Sequence, residues 1–190
     1  MERIYVVEKK FEKGDFTQTP LQMGDYEDCR FINCQFLNGD LSGLHFSDCE
    51  FIGCNLGMAK LNKTAFKGIR FTNCKLLGLR FETCDQFLFS VEMQDCSLKL
   101  ASFFGLKLAK TIFRNSGLEE VDFADADLNN SLFDHCNLSG AIFENTNLEK
   151  ADLRTSYNYS INPELNKLRK AKFSHAGIAG LLNKYDIEIE

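Results

Sequence analysis

Apolar residues recur at every fifth position along most of this chain. Between Thr111 and Leu153 a small residue, such as Ala126 or Ser131, stands two positions before each of these apolar residues. The positions between hold mainly Asp, Asn, Glu, Ser and Gly. A period of five fits neither the 3.6-residue turn of an α-helix nor the two-residue alternation of a strand, so the chain is predicted to turn a corner every five residues. The apolar centres of this stretch are Phe113, Leu118, Phe123, Leu128, Phe133, Leu138, Phe143, Leu148 and Leu153.

The same period reaches back to Phe11 and runs without a polar exception to Phe81. There it slips by two residues, which places the next centre at Leu88 and predicts an insertion within Glu82–Phe87. Repeats this short cannot bury an apolar face alone and must stack into a solenoid with capped ends. The predicted units are an N-terminal cap at 1–10, a solenoid at 11–153 with a phase break at 82–87, and a C-terminal cap at 154–190.

Two repeats, Ala126-Asp127-Leu128 and Ala151-Asp152-Leu153, match the motif A-[D/N]-[L/F]-x-x. Over residues 11–153 the chain resembles the pentapeptide-repeat proteins. The resemblance implies an all-β solenoid, a right-handed quadrilateral parallel β-helix with four pentapeptides in each coil. About seven coils at ~4.8 Å each would give a rod of roughly 34 Å. A coil of twenty residues also predicts that Phe11, Phe31, Phe51 and Phe71 stack on one another.

Composition narrows the functional classes. The chain has 190 residues and a net charge of −5, which argues against direct binding of nucleic acid by the whole surface. No apolar run approaches the 18 residues or so of a membrane span. The N-terminal sequence lacks the apolar stretch of a secretory signal, so a cytoplasmic location is expected.

The eight cysteines all occupy the small-residue position of a repeat. They would therefore point into different corners of the solenoid, and we expect buried free thiols, with a metal site or disulfides as the alternative. His45 and His135 fall on outward positions, and His175 lies in the tail. Since no nucleophile–base pair, carboxylate dyad or phosphate loop is found, we predict no enzyme and no catalytic, cofactor or metal residues. The cysteines are Cys29, Cys34, Cys49, Cys54, Cys74, Cys84, Cys96 and Cys136.

Charge is unevenly distributed along the repeats. The stretch from Asn115 to Glu149 contains eight acids and no Lys or Arg, whereas a basic belt, Lys60–Arg80, contains six cations and no acid. Either stretch could be an ordinary solvated surface or an electrostatic landing surface for a partner. The acids chosen as candidate partner-binding residues are Glu119, Glu120, Asp122, Asp125, Asp127 and Asp134.

The tail after the repeats has a different pattern. The sequence HAGIAGLLNKY predicts a short helix with Ile178, Leu181 and Leu182 on one face, and the alternation in Asp186–Ile189 predicts a strand. This segment could cap the rod, or it could join two rods into a homodimer through those three apolar residues.

The tail also resembles the ending of pentapeptide proteins of the Qnr and MfpA type. That resemblance implies tail-to-tail dimers that imitate B-form DNA and bind DNA gyrase or topoisomerase IV, which can confer quinolone resistance. By their position in the chain, the acids within Glu119–Asp127 would then imitate the DNA phosphates near the dimer centre. The alternative is a general pentapeptide-repeat interaction module with another protein partner. This chain departs from the Qnr pattern in two ways: the long loops that project from many Qnr rods are absent, and the basic belt at Lys60–Arg80 fits DNA mimicry poorly. These departures bear on protection against quinolones more than on gyrase binding.

Overall fold

The computed structural model describes residues 3–188 and forms a parallel β-solenoid, as predicted. Each short strand pairs with the strand one turn away, so that Phe31 lies between Phe11 and Phe51 in the ladder. One sheet has seven strands, which gives about seven turns, and a second sheet has four. The strands are β1 (Ile4–Val7), β2 (Lys10–Glu12), β3 (Gly24–Glu27), β4 (Arg30–Ile32), β5 (His45–Ser47), β6 (Glu50–Ile52), β7 (Ala65–Lys67), β8 (Ile69–Thr72), β9 (Val91–Gln94), β10 (Ile112–Arg114) and β11 (Leu132–Asp134).

The solenoid has four sides. The first side is the seven-stranded sheet, in the order β2-β4-β6-β8-β9-β10-β11, and the fourth side begins with β1-β3-β5-β7. The other sides are joined by single parallel bridges between successive turns. Bridges on the second side run from Asp15 to Tyr157, on the third from Asp40 to Ile142, and on the fourth, beyond its strands, from Lys107 to Lys167.

Stacked aromatic rings fill the axis of the solenoid. On the first side, the centroid of the Phe31 ring lies 4.7 Å from those of both Phe11 and Phe51. On the third side, Phe103 stacks on Phe81 at 4.6 Å and on Phe123 at 5.4 Å. Rings of neighbouring sides meet edge to face, which is a favourable geometry for aromatic pairs. The predicted one-turn stacking of the repeat centres is therefore confirmed.

The polar positions of the motif build the corners. The Asp122 carboxylate accepts the backbone N–H of Ala124 at 2.9 Å, and Asn147 does the same for Glu149 at 3.1 Å. A short polar side chain that bonds two residues ahead fixes a turn. The residue two positions after each centre usually has a left-handed backbone, and Asn, Asp, Lys or Gly fills most such positions.

The solenoid is interrupted by a bulge at residues 86–90. The pairing offset between turns is 20 residues up to Asp85. It is 22 residues for the pairings that span the bulge, from Ile69 with Val91 to Arg80 with Ser102, and 20 residues again in the later turns. The prediction of Leu88 as a core centre was wrong, because its side chain is 62% exposed and its φ is +59°. Phe89 packs on the core in its place, with its ring centroid 6.2 Å from that of Phe81.

Both ends differ from the predicted boundaries. Strand β1 already pairs with β3, so the N-terminal segment is part of the first turn. Parallel bridges continue past Leu153 to Lys172. The predicted tail helix consists of two 3₁₀ turns, Ile178–Leu181 and Asn183–Tyr185.

Two close contacts tie the 3₁₀ turns of the tail to the last turn of the solenoid. The carbonyl of Gly180 accepts the N–H of Ile161 at 2.9 Å. Gly180 also lies so close to the Tyr159 carbonyl that an added Cβ would be 2.3 Å from that oxygen. The predicted strand at 186–189 was wrong for residues 186–188, which have no strand structure, and Ile189 lies outside the described residues.

Candidate functional site

The six candidate acids form a ring around the rod. Because twenty residues make one turn, consecutive acids are carried onto successive sides. Glu119 and Glu120 lie on the second side, Asp122 and Asp125 on the third, Asp127 on the fourth and Asp134 on the first. The structure therefore does not bring these six carboxylates together on one face.

Several of these acids also stabilise the solenoid. Asp127 accepts the N–H of Asn129 at 3.1 Å and the side-chain amide of Asn147 at 2.8 Å. Glu119 accepts the side-chain amide of Asn137 at 2.7 Å. These acids close turns and join neighbouring turns, so replacing them would affect the fold as well as the surface.

Basic side chains contact two further acids. Glu120 forms an ion pair of 3.1 Å with Lys99. Asp134 contacts His135 at 2.7 Å and Arg114 at 3.2 Å, and the His135 ring and then the Arg114 guanidinium hold the pKa of the Asp134 carboxyl below its usual range.

The acids most available to a partner are Glu120, Asp125 and Glu144, whose residues are exposed. Glu120 and Asp125 occupy left-handed corner positions that point away from the core. The N–H of Asp125 bonds the carbonyl of Glu144 at 2.8 Å, so these two acids lie on neighbouring turns at the same corner.

A second group of cations lies near the C-terminal end and was not recognised in the sequence. Lys150 and Lys170 occupy the same corner on successive turns, where the N–H of Lys150 donates to the carbonyl of Arg169 at 3.0 Å. A comparison of positions twenty residues apart would have revealed this group. Its members are Lys150, Lys167, Arg169, Lys170 and Lys172.

The predicted basic belt is also spread around the rod, and some of its members are paired. Arg70 shares the Glu50 carboxylate with Arg30, at 2.7 and 2.8 Å, and Arg80 pairs with Glu82 at 2.7 Å. On the second side, Lys75 is exposed. The cations therefore surround the rod and leave no basic groove.

The cysteines are buried, as predicted, and all eight are free. All of their thiols except that of Cys84 donate to backbone carbonyls, as Cys74 does to that of Phe51 at 3.2 Å. Burial raises the pKa of the Cys49 thiol to about 12 and that of Cys136 to about 11. No group of three or more His, Cys, Asp or Glu side chains within residues 3–188 could hold a metal ion.

The tail residues have unequal environments. Ile178 is 49% exposed, whereas Leu181 packs against the solenoid core and Leu182 is half-buried. Only Ile178 of the three is thus largely free to contact a second copy, and Leu181 covers the end of the rod. Two open depressions of about 630 and 370 Å³ lie between the tail and the last turn. Serine, asparagine and glycine residues are prominent in the walls of the larger one, whereas the smaller one also has the apolar residues Ile142, Phe143 and Ile161.

None of the helices between residues 3 and 188 has the length and hydrophobicity needed to cross a membrane.

Among solved structures, the fold is similar to that of a trypsin-treated variant of QnrB1, a plasmid-mediated fluoroquinolone resistance protein. The TM-score is 0.65 at 20% identity, over 99% of this chain and 98% of that one. Full-length QnrB1 gives a TM-score of 0.60 at 17% identity, over 96% of this chain and 100% of that one. A third structure is that of HetL, a pentapeptide-repeat protein involved in heterocyst differentiation regulation in the cyanobacterium Nostoc sp. strain PCC 7120. Its TM-score is 0.49 at 15% identity, over 90% of this chain and 84% of that one.

Sequence comparison identifies the repeats directly. A family model described as a pentapeptide repeat region matches residues 24–103, and a model of eight pentapeptide repeats matches residues 116–154. A comparison with curated proteins finds no match. The two family matches together cover more than half of the chain, and the five-residue period runs through both matched ranges. The chain belongs to the pentapeptide-repeat family.

Proposed function

We propose that this protein is a non-catalytic rod that acts in the cytoplasm by binding a type II topoisomerase, DNA gyrase or topoisomerase IV. The observation that carries the proposal is the shared architecture with QnrB1, described as a fluoroquinolone resistance protein, over nearly the whole of both chains. The 99% coverage of this chain extends into the C-terminal segment, whose sequence resembles the ending of Qnr proteins.

The exposed acids supply the chemistry for such an interaction. Glu120, Asp125 and Glu144 lie on adjacent corners of two turns and present carboxylates to solvent. A DNA-binding surface of a topoisomerase is basic, so an anionic rod would be attracted to it and oriented on it. Attraction between exposed charges is screened by salt over about 10 Å at 0.1 M. Binding by this mechanism should therefore weaken as the salt concentration rises.

Inhibition of gyrase supercoiling tests the proposal. The wild-type protein should inhibit supercoiling in vitro at low salt, and the double variant Glu120→Lys with Asp125→Lys should lose most of that inhibition. Both positions have left-handed backbones, which Lys also adopts in this chain at Lys110 and Lys150, so the variant should fold.

A matched control reverses an acid elsewhere on the rod. Glu12→Lys, near the N-terminal end, should inhibit as the wild type does, and thermal unfolding of each variant should remain within a few degrees of wild type. Wild-type protein that leaves supercoiling unchanged at low salt and tens of micromolar would rule out the topoisomerase as partner.

A second candidate function is a general interaction module with another protein partner, and the distribution of charge favours it. The acids ring one turn, and the cations Lys150, Lys167 and Lys170 lie beyond them toward the tail. A tail-to-tail pair would therefore bring these cations closer to its centre than the acids. If the supercoiling assay is negative, this is the function that we propose instead.

A further inference from the structure

Five cations gather at the corner between the fourth and first sides of the last two turns. Lys150 and Lys170 stand on the corner itself, on successive turns and both with a left-handed backbone. Lys167 and Arg169 lie on the fourth side, and Lys172 lies on the first. The backbone positions from Arg169 to Lys172 span no more than about 11 Å, since consecutive Cα atoms are about 3.8 Å apart. Unlike the ring of acids, these charges therefore form one surface, the C-terminal basic corner.

The charge of this corner is largely uncompensated. All five residues are exposed. Within residues 3–188 only Lys172 of the five forms an ion pair, at 3.6 Å from Asp152, and that carboxylate also binds Arg154 at 2.7 Å. Glu149 is the other acid on these two sides of the last two turns. The corner is therefore positive, although the whole chain carries a net charge of −5.

Neutral residues precede the corner by one turn. The N–H of Asn130 donates to the carbonyl of Glu149 at 2.9 Å, which places Asn130 one turn before Lys150 on the same corner. Asn147 pairs with Lys167 and stands one turn before it on the fourth side. These amides separate Lys150 and Lys167 from the acids of the preceding turns.

The tail leaves the C-terminal basic corner open, because it packs on the other two sides. On the second side, Tyr157 and Gly177 line the same depression. On the third side, Ile142 lines a depression together with Gly180 of the tail, and the hydroxyl of Tyr185 donates to the Glu164 carboxylate at 3.1 Å. A large partner can therefore reach the corner without displacing the tail.

The shape and composition of the corner favour a double-stranded nucleic acid over other polyanions. No aromatic or large apolar residue is exposed in 147–154 or 167–172, so the corner offers no ring for single-stranded bases and no side chain to insert into a membrane. Charges on both flanks of a convex corner cannot all face a flat anionic membrane. They can face the two lines of phosphates that border the major groove of DNA, which is about 12 Å wide and admits a two-stranded β-ribbon.

We propose that the C-terminal basic corner binds the phosphate backbone of double-stranded DNA. Lys167 and Arg169 contact one strand and Lys172 the other, while the flexible side chains of Lys150 and Lys170 can turn toward either. Phosphate contacts carry no sequence information, so this binding is independent of the DNA sequence. DNA alone is the ligand, and the binding does not depend on a topoisomerase as partner.

Fluorescence anisotropy of a labelled duplex measures this binding. For a duplex of about 24 base pairs we expect a Kd of about 1–100 µM at ~50 mM salt, in the range of sequence-independent DNA binding. The logarithm of the association constant should fall with the logarithm of the salt concentration at a slope of about −4, because about four or five phosphate contacts contribute about −0.9 each. Duplexes of unrelated sequence should bind equally well.

Lys150→Asn with Lys170→Asn removes the two charges that stand on the corner itself. This double variant should bind the duplex at least about tenfold more weakly, and the salt slope should become shallower by about 2, since each lost phosphate contact removes about one unit. Asn130 occupies the same corner one turn earlier, so the variant should keep the fold and the unfolding midpoint of the wild type.

Lys13→Asn with Lys63→Asn is the matched control. Both lysines are exposed and have left-handed backbones at other corners of the rod, so the control loses the same charge from the same kind of position. Its affinity for the duplex should stay within about twofold of the wild type, because neither lysine contacts the DNA.

Two further ligands identify the anion that the corner prefers. Single-stranded DNA of the same length and vesicles that contain an anionic phospholipid should each bind more weakly than the duplex. The proposal is overturned if either binds as tightly as the duplex, if the control loses as much affinity as the corner variant, or if about 200 µM protein leaves the duplex unbound at ~50 mM salt. Because no topoisomerase is present, a negative result here would leave the supercoiling test unaffected.

Discussion

Phe123 illustrates how each repeat centre contributes to stability. Its ring is fully buried and stacks between Phe103 and Phe143, with centroid distances of 5.4 and 5.3 Å. Phe123→Ala should lower the free energy of unfolding by about 3–5 kcal/mol, because the ladder on both sides prevents the cavity from collapsing. Ser139→Ala, at an exposed position, should cost less than about 0.5 kcal/mol. Equal losses in chemical denaturation would contradict the inward assignment of Phe123.

The buried thiols predict a loss of stability at alkaline pH. In the folded protein the pKa of Cys136 is raised to about 11 from its ordinary value near 9.0, mainly by burial. A raised folded pKa means that the stabilising contribution is complete below pH ~9 and is lost as the pH rises toward ~11, at about 1.4 kcal/mol per pH unit. Cys136→Ser should remove this part of the loss, and the equivalent positions Ser116 and Ser156 already hold serine.

Denaturant unfolding at pH 8 and pH 10 measures this effect. The wild type should lose more stability than Cys136→Ser between the two values, since the titration of lysines and tyrosines is common to both proteins. A loss of the same size in both would show that the Cys136 thiol is not protected by the fold.

At the scale of the element, the sequence predicts the residues that follow the five-residue period, but it does not predict the structure of the segments that interrupt or end the period. The centres and the small corner residues follow a strict period, so the burial of Phe31 and Cys34 could be read directly. Leu88 could not be placed, because the period fixes the number of inserted residues but not which of them leave the core. The tail was assigned as a helix from its apolar spacing alone, whereas its backbone is bonded to the last turn at Ile161.

The bulge at residues 86–90 appears in the sequence as two extra residues, and deletion of Gln86 and Leu88 should repair it. The shortened sequence Cys84-Asp85-Phe87-Phe89-Ser90 restores the five-residue motif with Phe87 at the centre. Phe87 is now 69% exposed and would be buried at the centre, whereas the partly buried Phe89 would move outside the core. The net rise in the free energy of unfolding should therefore be about 1 kcal/mol. A loss of stability on deletion would show instead that the bulge relieves strain in the solenoid.

At the scale of the whole molecule, the candidate site was less predictable than the fold. Six acids close together in sequence suggested one anionic surface, yet five residues are enough to move from one side of the rod to the next. Residues twenty or twenty-two positions apart are neighbours instead, as Asp122 and Ser102 are. Lys150 and Lys170 of the C-terminal cations follow that longer spacing, and the pair becomes visible only when the turns are aligned.

The tail gives the last prediction, that two rods join end to end. Ile178 is 49% exposed at the C-terminal end of the rod, and Leu165 and Tyr185 are 50% and 51% exposed. A dimer through this end should bury more than about 1,000 Å² and roughly double the ~34 Å length of the rod. Small-angle X-ray scattering separates this dimer from side-by-side packing, because only end-to-end joining greatly increases the maximum dimension.

Ile178→Glu should shorten that maximum dimension to that of a single rod, since a buried carboxylate at the two-fold contact would be unpaired. The fold should be retained, because Leu181 still covers the end of the core. Phe87→Glu is the matched control, an exposed apolar residue far from the tail, and should leave the maximum dimension unchanged. A wild-type protein with the dimensions of one rod at several hundred micromolar would mean that the tail only caps the solenoid.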